Sequence, residues 1–176
     1  MRHYDFSARF HSIYDKAVSL YAKGQRGAKT FFTPGEHAWL AANGLAAQHL
    51  YDYAEDQDSY DEPGYDNALG IELVRRDYFL NVQDGKPSAI VLDEATLPPK
   101  ADAVRGVVWL PRLLPKTKAK LRGELPDSLM YSCGGDRAFF ARHDIQSSEF
   151  LSLVWRHEHA DAAVVDWVVR RTALQG

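Results

Sequence analysis

Apolar side chains recur every three or four residues through most of this chain, a period that suits helices and leaves little room for sheet. Phe6, Phe10, Ile13, Ala17 and Leu20 fall on one face of a 3.6-residue turn and predict a helix over 5–23, which Gly24 ends in a left-handed cap. Ile71, Val74, Tyr78 and Val82 predict another over 66–83, with Gly85 past its end. A hairpin across Asp84-Gly85 would compete for residues 77–92, but the helical spacing starts at Ala68 and runs unbroken. Near the C-terminus, Ser147 or Ser148 caps a helix carrying Phe150, Leu151, Val154 and Trp155. Asp161 caps the last helix, with Val164, Val165 and Val168 inward and Arg170-Arg171 at the end that favours cations.

Between these elements the punctuation is specific. Thr33-Pro34-Gly35-Glu36 has the form of a capping box, and the helix it opens reaches Ala42 before Asn43-Gly44 turns the chain into a second helix over about 45–55. The stretch 38–50 matches 138–150 in residue type at most apolar positions, so each reads as short helix, tight turn, longer helix. Residues 51–66, rich in Asp, Glu and Tyr, read as a solvated acidic loop; the calcium-loop pattern fails because Asp61 stands where glycine is required. Gly24 to Thr30 is not a phosphate loop, since Ala28 precedes Lys29 and a helix lies upstream. Residues 88–92 suit a short strand, and Pro98, Pro99 and Gly106 make 93–106 a connector.

The expected fold is all-α or nearly so: one domain over 1–176 with about seven helices, two helical hairpins and at most a short strand pair, its halves being 1–92 and 107–176. An apolar share of 45% argues against disorder, and a net charge of -3 gives no global attraction to nucleic acid or anionic lipid. One cysteine excludes an internal disulfide. With no apolar run near a membrane span and no hydrophobic leader in the first ten residues, a cytoplasmic protein with no membrane partner is expected.

Function points to residues 109–137. Winding 110–122 as a helix, begun near Pro111 or Pro115 and ended by Gly123, puts Leu110, Leu114, Thr117 and Leu121 on one stripe and Arg112, Lys116 and Lys120 on another side. Three readings of this charge compete: a solvated face, complementarity with the acidic 51–66 segment within the molecule or across a homodimer, and an anion site for phosphate, nucleic acid or an acidic cofactor. Downstream, Cys133-Gly134-Gly135-Asp136-Arg137 opens a helix with Asp136 as its cap, placing free N–H groups beside the only thiol. Arg112, Lys116, Lys120, Gly134, Gly135, Asp136 and Arg137 are therefore the candidate anion-binding set, and Cys133 the candidate nucleophile, with His143 as a base by position only.

The stretches W-L-P-R-L-L-P-K-T-K-A-K-L-R-G, Y-S-C-G-G-D-R and F-L-S-L-V-W resemble a bacterial family catalogued only as a domain of unknown function, most closely over 106–168. That resemblance implies no activity, cofactor or catalytic residue. His157 and His159 are two apart, not the four a helical metal pair needs, so no metal and no cofactor is expected. The expected function is a non-catalytic binding module for an anionic ligand or partner, the alternatives being an enzyme acting through Cys133 and a dimer joined by acidic segment and basic helix.

Overall fold

The computed structural model describes residues 3–174. Among them are eight α-helices and one antiparallel strand pair, the mostly helical fold that the periodicity predicts. The chain divides into two compact units, one ending at Gly85 and the other beginning at Lys86. The boundary thus precedes the expected connector: residues 93–106 belong to the second unit, and 88–92 form no strand.

The first unit holds α1 (Phe6–Ala22), α2 (Pro34–Ala42), α3 (Ala47–Tyr60) and α4 (Tyr65–Asn81). The predicted stripe of α1 is buried at Phe6, Phe10, Ile13 and Ala17, and the helix packs mainly on α3. Thr33 and Glu36 form the predicted capping box at the start of α2. The acidic segment is a loop only over 61–64. Residues 51–60 continue α3, because Leu50, Tyr53 and Ala54 are buried at helical spacing while Asp58 and Glu55 point to solvent. Asp61, in the left-handed region at φ 56°, ends it.

The second unit holds β1 (Ala103–Val104), β2 (Val107–Val108), α5 (Leu110–Arg122), α6 (Gly134–Arg142), α7 (Ser147–Arg156) and α8 (Asp161–Ala173). Arg105 and Gly106, at φ 50° and 81°, make the two-residue turn that joins the strands. Helix α5 starts at Leu110 and runs through Pro115, not from it: burial of Leu110, Leu113, Leu114 and Leu121 outweighs one missing backbone donor. The cap of α6 is Cys133, so Gly134 and Gly135 lie in its first turn and Asp136 is its third residue.

Each unit repeats one plan. A first helix is followed by a nine-residue helix, a tight corner, a third helix and a fourth. The likeness expected for 38–50 and 138–150 extends well beyond them. At the corners, Leu45 N–H donates to Leu40 O at 2.9 Å and Ile145 N–H to Phe140 O at 3.0 Å, while Gly44 and Asp144 take the left-handed conformation at φ 73° and 51°. Lys16 on α1 meets Glu36 on α2 at 2.6 Å, and Lys116 on α5 meets Asp136 on α6 at 2.6 Å. All these pairs are one hundred residues apart in sequence. The first three helices of each unit therefore run in register at an offset of one hundred residues, from about 10/110 to 50/150.

Burial would raise the Glu36 carboxyl, but Lys16 and the Thr33 N–H and hydroxyl hydrogen-bond its anion and bring it down to about 2. A carboxyl lowered in the folded state adds stability above its unfolded value and loses it as pH falls through the folded one. Between pH 4.5 and 2, Glu36→Gln should therefore flatten the loss of stability followed by urea unfolding, and at pH 7 it should be less stable than the unmodified protein.

Candidate functional site

The site is built on the first turn of α6. Asp136 is fully buried and accepts three hydrogen bonds: Lys116 Nζ at 2.6 Å and Ser132 N–H at 2.9 Å on Oδ2, and Trp109 Nε1 at 3.0 Å on Oδ1. The positive end of α6 therefore already faces a carboxylate from its own chain. Lys116 Nζ also lies 3.2 Å from Cys133 Sγ, and Arg137 donates to Ser132 O at 2.8 Å. The structure thus gathers Lys116, Cys133, Asp136 and Arg137 around one turn, with Gly134 and Gly135 inside it.

The expected outward basic face is corrected here. Lys116 and Lys120 are only 2% and 3% exposed. They share a face with Leu113, and α5 is buried along that face as well as along the leucine stripe. Arg112 lies elsewhere, donating to Pro98 O at 3.0 Å. The outer charges of α5 are matched within the same unit: Lys118 pairs with Asp161 at 2.6 Å and Arg122 with Glu158 at 2.6 Å. Lys118 and Arg122 thus meet acids of their own unit, and residues 51–60 lie on α3.

Behind this turn lies a feature with no counterpart in the sequence reading, a cavity of about 510 Å³. Trp109, Val107, Phe139 and Val169 give it apolar walls, and His143 and Thr172 line it too. Such a volume falls within the range of small-molecule sites, about 300–1,000 Å³. Trp109 sits at φ 76°, a conformation that costs a bulky residue energy and persists only where surroundings enforce it. Two contacts do so. Its indole N–H is fixed by Asp136, and its ring lies so close to Gly135 that a Cβ there would meet Trp109 Cζ2 and Cη2 at 2.6 Å. In the first unit the matching Gly35 has nothing within 4 Å of that position.

The polar groups of the cavity are set with equal definition. Thr172 donates its hydroxyl proton to Val168 O at 2.9 Å, so its oxygen accepts from His143 Nδ1–H at 2.7 Å. With that proton placement the imidazole is the Nδ1–H tautomer and Nε2 keeps a lone pair, which no described residue hydrogen-bonds. Burial, and next the charge of Arg142, lower the imidazole's proton affinity from its ordinary value and keep it neutral near pH 7. His143 is thus bound to α8 through Thr172 and packed on Phe139, with ring centroids 4.5 Å apart. Arg105 and Arg142 are exposed at the rim. Arg105 is paired with Asp166, whereas Arg142 has no partner among the described residues.

Sequence reasoning missed Trp109, Phe139 and Thr172 because a cavity wall looks like a core position until the facing side chain is known. The one available signal was Val-Arg-Gly-Val over 104–107, a two-residue hairpin turn ahead of Trp109.

Two outcomes test this construction. Removing the buried cation strands Asp136, so Lys116→Met should cost about 3–5 kcal/mol in urea unfolding. Gly35→Ala should stabilise by about 0.5–1 kcal/mol as a better helix former in open space, whereas Gly135→Ala should destabilise by about 1–3 kcal/mol because the fixed indole cannot move aside. Comparison with family models, curated proteins and solved structures gives no match, so the chemistry of the site rests on its own geometry.

Proposed function

We propose that this chain is a non-catalytic binding protein, and that the cavity of its second unit takes a ligand with an apolar body and an anionic end. The observation that carries the reading is Trp109, held in an unfavourable backbone conformation by Asp136 and Gly135 so that its ring walls an open space. A residue whose only task was to fill core would not need that arrangement. The anionic end follows from Arg142 at the rim, which has no partner among the described residues, whereas Arg105 is held by Asp166. This keeps the anionic ligand expected from the sequence and moves its site from the face of α5 to the cavity that α5 and α6 support.

The enzyme reading retains one favouring contact, Lys116 Nζ at 3.2 Å from Cys133 Sγ. The same nitrogen forms a buried ion pair with Asp136, and an ammonium offers donors but no lone pair to take the thiol proton. Binding without turnover is the better supported role.

The test uses 1-anilinonaphthalene-8-sulfonate, an apolar anion that fluoresces when desolvated. The unmodified protein should bind it at one saturable site, and octanoate should compete. Ala138→Trp, which fills the cavity from the exposed side of α6, should abolish the signal without lowering the melting temperature, whereas Cys133→Ser should leave it unchanged. Equal binding by the unmodified and Ala138→Trp proteins would remove the cavity from consideration.

A further inference from the structure

The first unit reveals what its fold places where the second unit is open. The partner of Phe139 one hundred residues earlier is Trp39, and that of His143 is Asn43. Helices α4 and α8 start at residues 65 and 161, so Arg76 and Thr172 each occupy the twelfth position of the fourth helix. In the first unit these places are full. Phe6 stacks on Trp39 with centroids 5.4 Å apart and planes 18° apart, the Arg76 guanidinium lies 4.8 Å over the Phe6 ring, and Arg76 Nε donates to Asn43 Oδ1 at 2.7 Å. Phe6 and Arg76 are 3% and 7% exposed.

Both fillers are missing from the second unit. Thr172 replaces Arg76 with a side chain too short to cross the space. Phe6 belongs to the first turn of α1, and α5 has no such turn: it starts at Leu110, the partner of Phe10, and the residue in step with Phe6 is Gly106 on the hairpin. The cavity of about 510 Å³ is lined by Phe139, His143 and Thr172, the residues in step with Trp39, Asn43 and Arg76. In its other copy the fold fills this place with a planar aromatic ring and a hydrogen-bond donor to the corner side chain.

We infer that the cavity of the second unit binds a free planar aromatic carboxylate, which supplies from outside the ring that Phe6 supplies within the first unit. This deepens the proposed function and rests on it. The ring lies against Trp109 and Phe139. The indole N–H is committed to Asp136, so Trp109 offers ring surface alone. A hydroxyl or N–H on the ligand ring donates to His143 Nε2, on a side chain 6% exposed and lacking a partner there among the described residues, as Arg76 donates to Asn43. The carboxylate pairs with Arg142 at the rim, where the guanidinium matches it with two parallel N–H donors.

The experiment titrates the full chain with indole-3-acetate, 4-hydroxyphenylacetate and 4-hydroxybenzoate, using indole and cyclohexylacetate as controls. It follows the tryptophan indole N–H signals by NMR, with Trp109 assigned from Trp109→Phe. At least one aromatic acid should bind saturably and shift the Trp109 signal. Indole, lacking the carboxylate, and cyclohexylacetate, lacking the planar ring, should each bind at least 10-fold more weakly. Arg142→Ala, at an exposed position, should weaken the acid at least 10-fold with melting unchanged and leave indole unaffected. If cyclohexylacetate or octanoate binds as tightly as every aromatic acid, and Ala138→Trp still blocks them, the aromatic assignment is overturned while the cavity reading stands. If no aromatic acid binds at millimolar concentration, this proposal is overturned, and the parallel loss of anilinonaphthalene sulfonate binding would take the cavity reading with it. Binding only of an aromatic side chain within a peptide, and of no free acid, also overturns it.

Discussion

A lysine reaching from the first helix of each unit to an acid in the first turn of the second helix is the contact on which the rest depends. Lys16–Glu36 and Lys116–Asp136 have the same length, 2.6 Å, and the same place in their units. Their surroundings differ. The Lys16 and Glu36 side chains keep 34% and 17% of their exposure, and those of Lys116 and Asp136 keep 2% and 0%. Desolvating two charges costs about as much as their attraction returns, so the buried pair is better regarded as a positional constraint than as a large source of stability. It tolerates one arrangement of α5 against α6, because any other leaves a charge without its partner.

From that constraint the wall of the cavity follows. Asp136, held by Lys116 and the Ser132 N–H, has its second oxygen left to accept from the Trp109 indole. The indole is thereby laid over α6, which requires glycine at 135, and the backbone of Trp109 must enter the left-handed region to reach it. A basic helix that reads as a surface feature is in this way the internal support of a pocket. The glycine pair after Cys133 serves close packing as well as the turn.

The repeated plan allows one unit to be compared with the other. In one copy the corner asparagine is satisfied by an arginine from the fourth helix and covered by a phenylalanine ring. In the other the corner histidine is satisfied by a threonine, packs on Phe139 and lines the cavity. Two side chains, Phe6 and Arg76, separate a filled unit from an open one. The polar content differs too: the first unit buries Glu72 with Tyr53 donating to it at 2.7 Å, where the second unit places Val168 and Leu153.

The mostly helical fold, the buried stripe of α1 and the Thr33 and Gly123 boundaries were legible in the sequence because period and capping are local properties, satisfied within one or two turns of chain. The corner repeat at 38–50 and 138–150 was legible for the same reason. Local signals also misled. Charge at 51–66 suggested a loop, but α3 needs only Tyr53 and Ala54 inward to continue, with Glu55 and Asp58 left exposed. Asp136 has the composition of a cap, yet Cys133 takes that place and frees the carboxylate to receive Lys116. Which face of α5 is buried, which tautomer His143 holds, and whether space is left beside Phe139 depend on side chains from α6 and α8, distant in sequence. The sequence by itself determined the helices; tertiary structure decided that Lys116 and Lys120 point inward and that one unit is open, because burial of a charge is settled by the partner it meets and not by its position on a wheel.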